Sequence, residues 1–320
     1  MPSIMKTAIV AGLAAVATAL PSHPRFTSNQ MKIHEVMKRQ SAAEQALGIT
    51  DLDVLQFALT LEWLETSFYQ QGFAKFPASD FTALGLSELQ VNDLLNIGAS
   101  EAAHVELLQG ALAQAGIQPV QPCTYNFDAA FADAKAMVTT AAVLEQVGVS
   151  AYLGAAPILS DSSILATAGS IFSIEARHQT FIRAAAGLAA APSPFDTPLS
   201  PQQVFSLAAP FISSCPDGSN LILTAFPTLT QTSPAADAAV KIGDTLVLSS
   251  TAAAGATFCA FTAGGIPGGT AFTPFTEAAG CQIPQNLAGT VYVNLASAGP
   301  LDGKLTDSII MAGPLVLAIS

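Results

Sequence analysis

The chain contains two copies of the pattern Glu-x-x-His, although it has only four histidines in all. The copies are Glu101-Ala-Ala-His104 and Glu175-Ala-Arg-His178. On a helix, residues three positions apart project from one face, so each pair brings a carboxylate and an imidazole to the same point. Mixed ligands of this kind suit iron or manganese better than copper or calcium. Two such pairs that face each other could hold two metal ions.

Two further glutamates, one upstream of each pair, complete a repeated pattern. Glu62 is followed seven residues later by Tyr69, and Glu145 is followed seven residues later by Tyr152. Di-iron and di-manganese four-helix bundles use this inward-facing set, in which two helices give a glutamate each and two give Glu-x-x-His. The sequence therefore predicts a dinuclear metal site. Its predicted ligands are Glu62, Glu101, His104, Glu145, Glu175 and His178.

The predicted ligands fall on the apolar stripe that each helix would turn toward a core. Leu55, Ala58, Glu62, Glu65 and Tyr69 are spaced by three and four residues, and the other three segments repeat that spacing. A carboxylate on such a stripe is costly to bury unless it is paired or bound to metal. This disfavours a purely surface role. A second alternative stays open, in which a metal-free bundle buries glutamates and histidines that hydrogen-bond one another.

Three more side chains are candidates for catalysis. Glu65 is one carboxylate more than the ligand set requires. It could be an extra ligand, a hydrogen-bond partner of a histidine or a proton shuttle. Tyr69 and Tyr152 could hydrogen-bond to ligands, or each could be an ordinary aromatic core residue. Within the two pairs, Glu101 and Glu175 are the candidate bridges between the ions.

The first 39 residues have the features of targeting and processing segments. Residues 1–19 combine a basic start, an apolar run and a small-residue cleavage site, which is typical of a secretory signal peptide. We expect residues 20–39 to form a pro-segment, because they end in Lys38-Arg39, which resembles a dibasic processing site; a chance Lys-Arg is the alternative. We therefore predict a secreted, extracellular protein whose mature chain begins at Gln40.

Charge and hydropathy narrow the classes of partner. The formal net charge is −12, and charged residues make up only 11% of the chain. Such an acidic chain repels nucleic acid and anionic membranes, so neither is an expected partner. Each helix-length apolar stretch after residue 40 carries a charge, so we expect no membrane span. The expected partner is a small-molecule substrate or a metal ion, and assembly with further copies of the chain stays open.

The texture of the sequence changes after the helical part. The predicted fold is mainly α, with a four-helix bundle over residues 40–194 and a small β-sandwich-like domain over residues 236–320. Residues 195–235 form a connecting segment that is rich in Pro, Ser and Thr and contains a short helix. The expected long helices cover about 51–72, 87–116, 127–156 and 161–187, and the expected strands are 245–249, 257–262, 290–296, 309–311 and 315–319.

The four cysteines favour two disulfides, as is usual in a secreted chain. Four cysteines allow three pairings. We favour Cys123–Cys215 and Cys259–Cys281, because each bond then stays within one structural unit.

Several short motifs resemble one known family. They are the run from Leu59 to Glu65 followed by Phe68-Tyr69, the two Glu-x-x-His pairs, Cys123-Thr124-Tyr125 and Ala312-Gly313-Pro314. Together they resemble the secreted fungal ferritin-like proteins, which are related to stress-response proteins of yeasts and to plant desiccation-related proteins. The resemblance implies a ferritin-like four-helix bundle and an association with stress. It does not supply a reaction, because ferritin-like folds host several chemistries.

Two functions are consistent with these observations. The first is a secreted protein with a dinuclear Fe or Mn site that acts on peroxide, dioxygen or ferrous iron. The second is a non-enzymatic stress or cell-surface protein that uses a metal-free bundle as a scaffold. Metal content distinguishes the two.

The targeting segments generate a prediction about processing. N-terminal sequencing of material secreted by a fungal host should start at Gln40, because cleavage would follow Lys38-Arg39. A start at Leu20 would contradict the pro-segment, and retention of Met1 would contradict secretion.

Overall fold

The computed structural model describes residues 49–219, 223–235 and 238–319, in which helices precede a β-rich region. The predicted signal peptide and pro-segment lie outside the described residues. The α-helices are α1 Asp51–Lys75, α2 Ala78–Ala83, α3 Glu88–Gln114, α4 Ala134–Ala155, α5 Ser162–Ala185 and α6 Pro201–Ala208. The strands are β1 Thr124–Tyr125, β2 Ile212–Ser214, β3 Thr230–Ser233, β4 Thr245–Ser249, β5 Phe258–Thr262, β6 Thr270–Pro274, β7 Cys281–Gln282, β8 Gly289–Ala296 and β9 Ile310–Ile319.

Side-chain caps fix where three of the long helices begin. Thr50 and Asp53 form a capping box at the start of α1, and Ser87 and Gln90 form another at the start of α3. Asp161 accepts hydrogen bonds from two backbone amides at the start of α5. Each cap satisfies amides that have no partner inside the helix.

The start of α4 differs from the sequence prediction, which placed it near Phe127. The helix begins at Ala134, where the carboxylate of Asp133 accepts a hydrogen bond of 2.7 Å from the backbone amide of Ala136. Phe127 and Phe131 precede the helix and pack against Phe68, with ring centroids 5.4 and 5.2 Å apart. The apolar spacing of the sequence continues through this segment, because side chains outside the helix also pack in the core. The spacing therefore did not show where the helix begins.

The four long helices pack as the pairs α1–α3 and α4–α5, with further contacts between α1 and α4 and between α3 and α5. The connection from α3 to α4 is held against α1. Gln56 donates a hydrogen bond of 2.7 Å to the Gln118 carbonyl and accepts one of 2.9 Å from the Val120 amide. Trp63 donates one of 3.1 Å to the Val120 carbonyl. The connection from α3 to α4 therefore runs along α1. It corresponds to the long crossover connection that some four-helix bundles have.

Among the described residues, α4 is the one helix that is long and apolar enough to cross a membrane. Its apolar window is 56% buried inside the molecule. A core helix has the same length and composition, so this feature by itself is weak support for a membrane span.

Two antiparallel sheets in the β-rich region share one buried apolar cluster. Their strand orders are β3-β4-β7 and β6-β5-β8-β9. The cluster contains Leu246 of the first sheet and Phe261 and Val291 of the second. Both expected disulfides are present: Cys259–Cys281 joins β5 to β7, and Cys123–Cys215 joins the crossover to the segment that follows β2.

The strands depart from the prediction at several places. Strands β1, β2, β6 and β7 were not expected, and the prediction also differs at β9 and β3. The two strands expected at 309–311 and 315–319 are one strand, β9, which pairs with β8 along its length. Pro314 lacks an amide proton and cannot donate a hydrogen bond to a neighbouring strand. Strand β9 tolerates it because β9 is an edge strand, with a hydrogen-bonded strand on one side only. Strand β3 lies in the segment expected to be a connection, and it pairs with β4.

The β-rich region docks on the outer face of α4. The buried hydroxyl of Tyr292 lies 2.7 Å from Ser150 Oγ, and the Leu199 amide donates a hydrogen bond of 3.2 Å to the Ser150 carbonyl. A β-carbon at Gly154 would lie 1.9 Å from the Leu199 carbonyl oxygen, so the approach of the two segments requires a glycine in the helix.

This close contact predicts opposite effects for two glycine-to-alanine substitutions. Gly154→Ala should destabilise the protein by about 1–3 kcal/mol, because backbone atoms must move to admit the methyl group. Gly169→Ala in α5 meets open space and should stabilise by about 0.5–1 kcal/mol, since glycine disfavours a helix interior. Urea unfolding of the two variants checks this. Equal effects would contradict the tight docking at Gly154.

Candidate metal centre

Five glutamates and two histidines converge between the four long helices. They are Glu62 and Glu65 of α1, Glu101 and His104 of α3, Glu145 of α4, and Glu175 and His178 of α5. All seven side chains are buried, and those of Glu101, Glu145 and Glu175 have no exposed surface. The structure thus brings together the six predicted ligands and Glu65, although they lie far apart in the sequence.

The cluster contains two groups of four side chains whose ligand atoms all lie within 4.8 Å of one another. One group is Glu62, Glu101, His104 and Glu175, and the other is Glu101, Glu145, Glu175 and His178. Both groups include Glu101 and Glu175. Two neighbouring ions in these groups would therefore share the two carboxylates that the sequence marked as candidate bridges.

Both imidazoles turn the Nδ1 atom toward the carboxylates. His104 Nδ1 lies 2.9 Å from Glu101 Oε2 and 3.2 Å from Glu62 Oε2. His178 Nδ1 lies 2.9 Å from Glu101 Oε1 and 3.1 Å from Glu145 Oε2. His104 contacts both glutamates of the Glu-x-x-His pairs, because its Nδ1 also lies 3.4 Å from Glu175 Oε1, and His178 contacts Glu101. Each histidine also contacts one outer glutamate, Glu62 of α1 or Glu145 of α4.

Some carboxylate oxygens are buried without a hydrogen-bond donor. Three such oxygens have no hydrogen-bond partner among the described residues. They are both oxygens of Glu175 and Oε1 of Glu101. The short approach of His178 to Glu101 Oε1 is an electrostatic contact without hydrogen-bond geometry. Buried carboxylate oxygens are costly when unsatisfied, and metal ions would satisfy them. Carboxylates and imidazoles in these numbers fit a dinuclear iron or manganese centre.

Two tyrosines cross between α1 and α4 to hold the outer glutamates. The Tyr152 hydroxyl donates a hydrogen bond of 2.5 Å to Glu62 Oε1, and the Tyr69 hydroxyl donates a short one to Glu145 Oε1. Each tyrosine therefore fixes the glutamate of the other helix, and not the one seven residues before it. Such partners of a ligand keep its carboxylate in one orientation.

The twofold repeat is broken at one position that sequence reasoning missed. Glu62 and Tyr69 lie 83 residues before Glu145 and Tyr152. By the same offset, Gly148 is the residue of the second half that corresponds to Glu65. A β-carbon at Gly148 would lie 2.6 Å from Glu175 Oε2 and 3.4 Å from Glu65 Oε1. Because Gly148 has no side chain, the space beside the carboxyls of Glu65 and Glu175 stays open. The offset of the repeat was a signal that could have identified it.

Burial and mutual contacts shift the pKa values of the cluster. Desolvation, followed by the charge of Glu101, outweighs the hydrogen bonds that Glu62 accepts and raises its pKa to about 7. Burial opposes the charge on His104, but hydrogen bonds to Glu101 and Glu62 raise its pKa to about 10. Burial acts to raise the pKa of Glu101, yet contacts with His104 and His178 lower it to about 2. In the absence of metal the cluster therefore holds protons at neutral pH.

Comparison with known proteins shows what the helical part of the chain resembles. Residues 50–188 match the family described as the ferritin-like domain. The helical part of the chain is therefore similar to the ferritin-like domain, as the sequence motifs indicated. Over 185 residues it is 28% identical to the protein rds1 of Schizosaccharomyces pombe, an alignment that covers 58% of this chain. The chain spans only 45% of the length of that relative.

The pKa shifts predict how the stability of the metal-free protein depends on pH. The raised pKa of Glu62 adds stability that is present below about 4.5 and is lost as the pH rises to about 7. The raised pKa of His104 adds stability that is lost as the pH rises from about 6.5 to about 10. The lowered pKa of Glu101 adds stability that is lost as the pH falls from about 4.5 to 2. Thermal unfolding of metal-free protein should therefore show greatest stability near pH 4.5.

The metal-loaded protein supplies the control for this prediction. Metal ions require deprotonated ligands, so the loaded form should lose stability as the pH falls from 7 toward 5, opposite to the metal-free form. Parallel pH profiles of the two forms would contradict the assignment of these groups to the metal centre.

Proposed function

We propose that the chain holds a dinuclear iron or manganese centre and is an oxidoreductase that acts on dioxygen or a peroxide. The observation that carries the proposal is the pair of four-ligand groups that share Glu101 and Glu175. The ligands would be Glu62, Glu101, His104, Glu145, Glu175 and His178. When bound, the two ions exchange electrons with such oxidants.

The chain's own residues would orient the ligands and exclude water. Tyr69 and Tyr152 hold Glu145 and Glu62 in fixed orientations across the cluster. Apolar clusters lie on both sides of the carboxylates, one built around Phe68 and Met137 and the other around Leu59 and Leu112. A dry, preorganised setting strengthens every electrostatic interaction within it.

Glu65 has a separate role in this proposal, because it belongs to neither four-ligand group. Its carboxyl is 5% exposed and lies beside the cluster. Burial, followed by the charges of Glu62 and Glu101, holds its pKa well above the usual range. Glu65 would therefore carry a proton next to the centre and could deliver it to a reacting oxygen atom.

The wider setting is also part of the proposal. The four long helices would form the complete ferritin-like bundle, and the two sheets would form a small β-sandwich-like domain. Two disulfides are compatible with an extracellular, oxidising compartment, which supports secretion after removal of a signal peptide. A role in stress response follows from the resemblance to stress-related fungal proteins.

Metal content tests the proposal. Protein purified without chelators should contain about two Fe or Mn ions per chain, as the paired ligand groups require. His104→Ala and His178→Ala should each retain less than half of this metal, because each removes a ligand and disturbs the shared carboxylates. Glu106→Ala is the matched control, since it removes an exposed carboxylate from the same helix as His104. Elemental analysis of folded protein makes the measurement.

The two glutamates of α1 provide a finer comparison. Glu62→Gln should lower metal content more than Glu65→Gln, because Glu62 belongs to a four-ligand group and Glu65 does not. Parental metal content in both histidine variants would show that the proposed centre is wrong. A parent protein that stays empty after reconstitution would favour the metal-free scaffold.

A further inference from the structure

A pocket with apolar walls opens from the surface of the helical domain onto the carboxylate cluster. Its volume is about 610 Å³, including the part that is open to solvent. Half-buried alanines of α1 and α5, Ala58 and Ala168, lie in its outer wall. Glu62, Glu65 and Tyr152 also line it, and the two carboxyls are 1% and 5% exposed. The carboxyls therefore form the deep end of the pocket.

The pocket reaches the cluster at the position where the twofold repeat is broken. Gly148 lines it, and the missing side chain leaves Glu175 Oε2 next to the pocket floor. A second apolar pocket of about 420 Å³, which extends to Phe211, also reaches Gly148 and Glu65. Two pockets thus meet the centre on this side. The oxygens of Glu175 that lack a hydrogen-bond donor among the described residues lie close to it.

The side chains that line the larger pocket determine which molecules can enter it. None of the described residues that line the larger pocket is a lysine, arginine or histidine, and its polar side chains are those of Glu62, Glu65, Tyr152 and Thr167. A hydrated cation would lose its water along these walls without gaining ligands until it reached the floor. An uncharged molecule with an apolar body would instead bury apolar surface, as ligands of mainly apolar pockets do.

Charge balance at the floor leads to the same class of ligand. The ligand set contains four glutamates, whose negative charges equal the positive charge of two divalent ions. The loaded centre therefore carries no net charge that would attract an ion. A hydroxyl group at one end of the molecule could accept a hydrogen bond from the Glu65 carboxyl and donate one to the Tyr152 hydroxyl oxygen, whose own proton is donated to Glu62.

We infer that this pocket binds an uncharged organic molecule that has an apolar body, with its polar end at Glu65 and Tyr152 beside the centre. The inference rests on the proposed function and deepens it, because it assigns the class of organic substrate that the centre would act on. It also makes hydrated ferrous iron a poor substrate by this route.

The test uses 1-hexanol as the probe and the full chain in its metal-loaded form. Ligand-observed NMR titration should show saturable binding of 1-hexanol, and hexylammonium should bind at least ten-fold more weakly. Ala168→Phe places a ring in the outer wall and should raise the Kd for 1-hexanol at least ten-fold. Ala166→Phe is the matched control, because Ala166 is exposed on the same helix outside the pocket. It should bind as the parent does.

A second blocking variant and a second measurement keep the outcomes distinct. Ala58→Phe narrows the pocket from α1 and should weaken binding in the same way. Neither blocking variant should change metal content, since neither residue is a proposed ligand. Parental 1-hexanol binding in folded Ala168→Phe and Ala58→Phe, or tighter binding of hexylammonium than of 1-hexanol, would overturn the inference. A parent that binds 1-hexanol in this pocket but takes up no metal would support the pocket and overturn the proposed centre instead.

Discussion

The burial of five carboxylates and two imidazoles in one apolar interior is the constraint on which the helical domain depends. A single unpaired carboxylate in such a place is costly, and neighbouring carboxylates also repel one another. Histidine contacts and tyrosine hydroxyls satisfy part of this requirement. Among the described residues, the oxygens of Glu175 have no hydrogen-bond donor. Apolar clusters on both sides then keep water from relieving the repulsion, so the buried cluster is compatible with bound metal.

Helix α4 connects this constraint to the rest of the chain. It carries Glu145 and Gly148 toward the cluster. Its Ser150 contacts Tyr292 of the β-rich region, and its Gly154 lies against Leu199 of the connecting segment. Contact with Tyr292 and Leu199 therefore fixes the position of the helix that carries Glu145 and Gly148. The β-rich region has no residue in the described metal-ligand groups. Its contribution to the site is mechanical, because it limits where α4 can lie.

Local sequence rules were sufficient for most of the helical part. The three-and-four spacing indicated the long helices and the face on which each glutamate lies. The rules failed where tertiary contacts replaced local ones. Phe127 and Phe131 continue an apolar pattern but reach the core from turns. Strand β9 runs through Pro314 because it lies at a sheet edge, and edge position is a property of the assembled sheet.

The sequence by itself determined which side chains could act together, because the spacing of Glu-x-x-His fixes two groups on one helical face whatever surrounds them. Only the tertiary structure decided how the helices share those groups. Packing across α1, α3, α4 and α5 places Glu101 and Glu175 in both ligand groups and crosses Tyr69 and Tyr152 between helices. It also leaves an apolar opening beside Gly148. Distances between helices depend on the packing of many residues far apart in the chain, and no local pattern encodes them.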